Sequence, residues 1–88
     1  MATEISVNPN PFNRSINIEI HSADSDDCII LLANLESSKI IRILGAGLSK
    51  GVNKIAIDDL HSLDTGNYHL DIKNTDGESL YATKLSKE

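Results

Sequence analysis

Short apolar runs recur along the chain, separated by polar and turn-forming residues. Between residues 15 and 20, Ile16, Ile18 and Ile20 alternate with polar residues. Because successive side chains of a strand point to opposite faces, this period of two predicts a strand with one apolar face. The run at 28–33 is apolar at every position, which indicates a central strand that is apolar on both faces.

Similar runs elsewhere predict the remaining strands. The predicted strands comprise residues 5–7, 15–20, 28–33, 40–44, 54–58, 68–72 and 80–85. We expect the glycine-containing stretch 45–51 to hold a short edge strand or a bulge. Asp76 and Gly77 both tolerate positive φ and predict a hairpin turn. No helical period is long enough to compete, so the sequence predicts an all-β, immunoglobulin-like antiparallel β-sandwich of about seven strands.

Two leucines and a tyrosine lie in the stretch that leads into the strand at 68–72. Leu60 and Leu63 are three residues apart, so either a helical turn or a buried loop would direct both side chains inward. Tyr68 follows them and is placed to form a tyrosine corner, in which its hydroxyl returns to nearby backbone.

Composition supports the β prediction and narrows the function. The chain is 40% hydrophobic and rich in isoleucine, which fits a pleated and half-buried surface. Its formal net charge is -5, and its scattered lysines and arginines form no basic stripe. We therefore expect no nucleic-acid partner. Eighty-eight residues are enough for one domain, and no apolar stretch is long enough to span a bilayer.

Few residues are candidates for chemistry. Cys28 lies in an apolar run, where we expect a buried, inert thiol. His21, His61 and His69 lack metal-ligand spacing. The acidic loop 24–27 has part of a calcium-loop pattern without its glycine and later glutamate, so a solvated loop is expected and calcium binding stays open. No nucleophile has a base and an orienting group nearby in sequence, so we predict no catalytic, cofactor or metal site and no enzyme.

Several motifs nevertheless occur in an order that matches a known family. Residues 8–12, Asn-Pro-Asn-Pro-Phe, precede the alternating strand and resemble the YPNPF opening of type A C-terminal sorting domains of the type IX (Por) secretion system. Residues 32–40 resemble the LYNLxGxxV turn of that family, and 51–70 resemble its GxN…L…L…GxYxL segment. Residues 83–87 resemble its short basic ending, so the likeness covers nearly the whole chain.

Three positions depart from the family pattern. Asn8 stands where a tyrosine is common, and Ala33 replaces another usual aromatic residue. Ser37 replaces a turn glycine, so we expect a strained, positive-φ position there.

The resemblance implies a non-catalytic sorting module that directs a cargo through the type IX system and across the outer membrane. Its implied partners are the outer-membrane translocon, a sortase-like cysteine protease that cleaves and attaches the cargo, and the cargo itself, linked on the N-terminal side. The implied route is periplasmic transit and then secretion or the cell surface. We expect residues 1–4 to be leader or vector-derived residues and residues 5–88 to be the sorting domain. The sequence leads to no prediction about the oligomeric state.

The resemblance also implies roles for individual residues. It assigns translocon recognition to Lys84, Leu85 and Lys87, and we expect both lysines to be exposed and to pack against little. A solvated edge that discourages strand pairing is the structural alternative for these lysines. The motif residues expected to serve the fold are Pro9, Pro11, Phe12, Gly51, Asn53, Gly66 and Tyr68.

Two other functions remain open at this point. One is an adhesin-like or carbohydrate-binding sandwich appended to an extracellular enzyme, which would usually present exposed Trp or Tyr platforms. This chain has no Trp and only two Tyr. The other is a purely structural immunoglobulin-like spacer, which would not need to lie at the end of its parent protein.

Overall fold

A computed structural model describes residues 4–88, and over that range the chain forms seven β-strands. They are β1 (Glu4–Asn8), β2 (Ile16–Ser22), β3 (Asp26–Asn34), β4 (Ile40–Leu48), β5 (Gly51–Ile57), β6 (Gly66–Asn74) and β7 (Ser79–Lys87). Of the residues predicted to form a leader, 1–3 lie outside the described range, whereas Glu4 already begins β1. No helix long and apolar enough to cross a membrane occurs in the described part of the chain.

The strands form two antiparallel sheets, with orders β1-β2-β5 and β4-β3-β6-β7. Every pairing within them is antiparallel. Because β4 pairs with β3 and not with β5, one sheet has three strands and the other four. The inner faces of both sheets enclose one hydrophobic core, which confirms the predicted all-β sandwich.

The isoleucine row of β2 supplies one wall of this core. Ile16, Ile18 and Ile20 are all buried, as the alternation predicts. Opposite Ile16 and Ile18 on the neighbouring strand lie Ile57 and Ile55. Each fully buried side chain of this size stabilises the fold by about 1.5–3 kcal/mol relative to exposure, so the row contributes a large share of the hydrophobic stabilisation.

The apolar strand β3 lies between β4 and β6, which confirms the prediction of a central strand. Its inner face buries Cys28, Ile30 and Leu32. Its outer face is less covered, since Ile29 retains 39% of its surface.

The glycine-containing stretch differs from its prediction. We predicted a strand at 40–44 followed by a separate edge strand or bulge within 45–51. Instead, β4 continues to Leu48 and β5 begins at Gly51. The extension forms because β3 begins early, at Asp26, and offers partners such as Cys28, which pairs with Ala46. The irregularity lies at the start of β4, where Ile41 is an extra residue: Arg42 pairs with Leu32 and Ile40 with Ala33.

The turn between β3 and β4 corrects a second prediction. The Asn34 side-chain oxygen accepts the N–H groups of Glu36 (2.8 Å) and Ser37 (3.0 Å). Positive φ occurs at Ser38 (59°) and not at Ser37. The reason is that Ser38 ends the turn, where its N–H donates to the Asn34 carbonyl at 2.9 Å, and the last residue of such a turn adopts the left-handed conformation.

The hairpin predicted at Asp76 and Gly77 is confirmed between β6 and β7. Gly77 has φ of 86°, which a residue with a side chain rarely adopts. Asn74 closes the turn, since its side-chain oxygen accepts the N–H groups of Asp76 (3.0 Å) and Glu78 (2.9 Å). This short connection fixes the start of β7, the strand that carries the candidate recognition residues.

Candidate recognition site

The recognition residues predicted from the basic ending all lie on β7, but on different faces. β7 is an edge strand that pairs only with β6 inside its sheet. Lys84 points outward and is exposed, opposite His69 of β6. Leu85 is 1% exposed and belongs to the core. Because a strand alternates its faces, Lys87 lies on the same inner face as Leu85.

The expectation that Lys87 is exposed and packs against little is wrong. Lys87 is 5% exposed, and its ammonium Nζ donates to the main-chain oxygen of Glu88 at 2.8 Å. The alternation that buries Leu85 also directs the Lys87 side chain inward, where its four-carbon stem covers apolar surface. Lys84 has no ion-pair partner among residues 4–88. The two lysines therefore play different structural roles, and only Lys84 presents its charge to solvent.

The Asn-Pro-Asn-Pro-Phe segment covers the outer edge of β7. Phe12 forms a parallel bridge to Lys87: its N–H donates to the Ser86 carbonyl at 2.8 Å, and its carbonyl accepts the Glu88 N–H at 2.9 Å. Pro9 and Pro11 lie exposed on either side of Asn10, and both are preceded by cis peptide bonds. Two motifs more than seventy positions apart in sequence thus form one structural unit.

Asn10 extends this unit and was absent from the residues singled out in the sequence. Its side-chain Nδ2 donates to the Lys84 carbonyl at 3.3 Å, and its Oδ1 accepts the Ser86 N–H at 3.1 Å. The sequence does contain a signal for Asn10. An asparagine between two prolines supplies a side-chain donor and acceptor where both neighbouring residues lack a backbone N–H. What the sequence does not give is the partner strand.

Phe12 and Tyr68 anchor the segment from beneath. Phe12 is fully buried, and its ring meets that of Tyr68 edge-on, with centroids 5.7 Å apart and planes at 69°. Such aromatic pairs stabilise by about 0.5–1.5 kcal/mol beyond the area they bury. Tyr68 also pairs across the sheet with Leu85, so the same ring supports β7.

Tyr68 forms the predicted tyrosine corner. Its hydroxyl donates to the Asp64 carbonyl at 2.7 Å, four residues earlier. Just before Asp64, the N–H of Leu63 donates to the Leu60 carbonyl at 3.1 Å, and Leu60 is fully buried. Gly66 lies between Asp64 and Tyr68 and begins β6, opposite Lys87 of β7. The corner therefore holds the loop before β6 against the end of the core nearest the β7 terminus.

Replacing Tyr68 with phenylalanine should lower the free energy of unfolding by about 1–2 kcal/mol. The ring stays in the core, but its hydrogen bond is lost and the Asp64 carbonyl loses a partner. Urea denaturation of the 88-residue chain measures the change. Tyr81→Phe is the matched control, because the Tyr81 hydroxyl makes no hydrogen bond within residues 4–88. Equal stability of the two variants would contradict a stabilising corner.

Gly51 and Asn53 organise the turn between β4 and β5, at the other end of the sandwich. Gly51 has φ of 106°, a conformation that glycine adopts at little cost. The Asn53 side chain accepts the Ser49 N–H at 2.9 Å and donates to the Ser49 carbonyl at 2.8 Å. The GxN motif is therefore a turn device, at the opposite end of the sandwich from Lys84 and Lys87.

Within residues 4–88, the titratable side chains form no reactive cluster. Cys28 is buried, and burial raises the pKa of its thiol, with a further contribution from the negative charges of Asp26 and Asp27. The His21 ring lies 3.5 Å from the Glu19 carboxylate on the exposed face of β2. Within the described residues, no group of three or more His, Cys, Asp or Glu side chains is placed to hold a metal ion.

The aromatic residues do not form an exposed platform. Phe12 and Tyr68 are buried, and Tyr81 is half-buried against the core. With no Trp in the chain, these are all of its aromatic side chains. A carbohydrate-binding sandwich that stacks sugars on exposed rings would need such a platform.

Comparison with known proteins identifies the family. The model of the family described as "Secretion system C-terminal sorting domain" matches residues 6–87, nearly the whole chain. No curated protein matches the chain. The domains of this family are non-catalytic sorting signals of type IX secretion, and they imply involvement with that machinery, export, and a cell-surface or secreted fate. The seven-stranded sandwich with its joined opening and terminal motifs therefore belongs to the family of type IX secretion C-terminal sorting domains.

Proposed function

We propose that this domain, residues 5–88, travels folded through the periplasm with its cargo attached upstream and is recognised there by the outer-membrane translocon through β7. Lys84 makes the direct contact. Leu85 and Lys87 hold the strand in place from the inner face. After translocation, a sortase-like cysteine protease cuts the link to the cargo and attaches the cargo to the cell surface.

The observation that carries this proposal is the contrast along β7. Leu85 and Lys87 are buried, whereas Lys84 is exposed and has no ion-pair partner in residues 4–88. On a domain of net charge -5, the exposed Lys84 ammonium offers a partner a positive charge within the terminal motif. Charge complementarity of this kind favours specificity and rate of encounter.

Fixed backbone on both sides of Lys84 supports the same proposal. Along the edge that faces the rest of the sheet, β7 pairs with β6, and His69 lies opposite Lys84. Along the opposite edge of β7, Asn10 and Phe12 bind the backbone of residues 84–88. A pre-organised contact costs less ordering entropy on binding than one on a mobile tail, so a single side chain can contribute measurably.

Lys84→Ala should reduce export of a periplasm-targeted reporter fused upstream of this domain, in a host with a functional type IX system. A recognition contact worth about 1 kcal/mol or more corresponds to on the order of a fivefold loss. Stability should be unchanged within about 0.5 kcal/mol, because Lys84 is an exposed surface position. Reporter activity in medium, surface and periplasmic fractions gives the measurement.

Lys54→Ala is the matched control. Lys54 is exposed on β5 of the other sheet, has no ion pair in the described range, and its removal changes the net charge equally. Full export of Lys84→Ala would refute recognition through Lys84. Retention of the unmodified fusion in the periplasm would refute delivery by this domain altogether.

A further inference from the structure

We propose that Asn10 is a positioning residue of the recognition site, which extends the opening motif into the site formed by β7. This inference rests on the proposed role of Lys84. Asn10 lies in the segment before β2 and contacts β7 across 74 and 76 positions of sequence. In this view the recognised unit is composite, formed by the Asn10 segment together with the end of β7.

The side chain of Asn10 takes the place that its own backbone would occupy in a parallel ladder. Phe12 bridges Lys87 by binding the Ser86 carbonyl and the Glu88 N–H. If the ladder continued two residues earlier, the backbone of Asn10 would bind the Lys84 carbonyl and the Ser86 N–H. Those are the two groups that the Asn10 amide binds, at 3.3 Å and 3.1 Å. An amide side chain carries one carbonyl and one N–H₂ group, so it can replace a backbone pair.

Lys84 depends on this contact more than its neighbours do. Antiparallel residues alternate between pairs that exchange hydrogen bonds and pairs that do not, and the outward groups of Ser86 and Glu88 set the alternation on β7. By that alternation the Lys84 carbonyl points to the outer edge, where Asn10 provides its hydrogen bond within the described residues. Ser86, in contrast, is held by both Asn10 and Phe12.

The loss of Asn10 should therefore loosen Lys84 without unfolding the strand. Leu85 remains in the core and Phe12 still holds Ser86 and Glu88. The Lys84 carbonyl would then accept a hydrogen bond from water, and the direction of the Lys84 side chain would no longer be fixed. Export would fall although Lys84 itself is present.

The test compares Asn10→Ala with Asn8→Ala in the reporter fusion and in the 88-residue chain. Asn8 also precedes a proline, is exposed, and makes no side-chain hydrogen bond within residues 4–88, so it is a matched control. Asn10→Ala should lower export several-fold and speed hydrogen exchange of the Ser86 amide by up to about tenfold, as expected for one lost hydrogen bond. Asn8→Ala should change neither.

Asn10→Asp separates the two contacts. The carboxylate keeps an acceptor for the Ser86 N–H but faces the Lys84 carbonyl with an oxygen in place of a donor. We expect Ser86 to stay protected from exchange while export falls as in Asn10→Ala. Normal export of Asn10→Asp would overturn the assignment of the Lys84 contact.

A stability control excludes a purely structural effect. Asn53→Ala removes side-chain hydrogen bonds from the turn between β4 and β5, at the opposite end of the sandwich from the terminal part of β7. An equal export defect in Asn53→Ala at equal loss of unfolding free energy would overturn the positioning role. Normal export of Asn10→Ala beside a defective Lys84→Ala would also overturn it. Normal export of both variants would refute the proposed recognition itself.

Discussion

Phe12→Ala is expected to lower the free energy of unfolding by about 3–5 kcal/mol, the usual cost of deleting a fully buried aromatic side chain. Phe12 has no exposed surface, packs edge-on against Tyr68, and lies where its backbone binds β7. Its removal opens a cavity beneath the strand that carries Lys84. Because small domains are stable by roughly 5–15 kcal/mol in total, the variant should retain little stability. Urea denaturation followed by circular dichroism measures the loss.

Phe12→Leu provides the control for this prediction. Leucine keeps an apolar side chain in the same space, and the backbone bonds of residue 12 to Ser86 and Glu88 are unaffected. We expect it to recover a large part of the stability and export that alanine loses. A loss below about 1 kcal/mol for Phe12→Ala, typical of an exposed site, would contradict its burial and its role beneath β7.

The strands could be predicted from the sequence wherever one face is buried. The alternation of Ile16, Ile18 and Ile20 reflects the core directly, since a shift by one residue would expose all three. The tyrosine corner could be predicted for a similar reason. The hydroxyl of Tyr68 needs a partner once its ring is buried, and the nearby backbone supplies it.

The extension of β4 and the position of the strained turn residue could not be predicted. Glycines 45 and 47 carry no side chain that indicates strand, and they lie in β4 because β3 pairs with them. The shift of positive φ from Ser37 to Ser38 follows from how Asn34 closes its turn, a matter of one residue that a motif comparison does not resolve. Both outcomes depend on backbone pairing and not on residue type.

The candidate site was the least predictable part, because it joins two ends of the chain. Charge alone suggested that Lys84 and Lys87 are equivalent, whereas the period of two in β7 places one outside and the other inside. That period could have been extended from Leu85 to Lys87, but a lysine at an inner position is unusual. Asn10 could not be assigned, because its partners are 74 and 76 positions away.

Deletion of residues 84–88 is expected to unfold the domain, with a larger loss than any single substitution described above. It removes the buried side chain of Leu85, for which truncation alone costs about 2–5 kcal/mol. It also removes the ladder pairs of Leu85 with Tyr68 and of Lys87 with Gly66, and every bond from Asn10 and Phe12 to β7. Loss of the cooperative urea transition and of β-sheet circular dichroism is the expected result.

An export defect of that deletion therefore does not identify recognition, and a substitution at Lys87 tests the point more sharply. Lys87→Met keeps the apolar stem at the inner position and removes the charge, so stability should stay within about 1.5 kcal/mol of the unmodified chain. Because Lys87 is 5% exposed and its ammonium is turned to the main-chain oxygen of Glu88, export should also be near normal. Lys84→Ala should show the opposite pattern, with full stability and poor export. A folded Lys87→Met variant that fails to export would mean that the buried lysine charge, and not Lys84 alone, is read by the translocon.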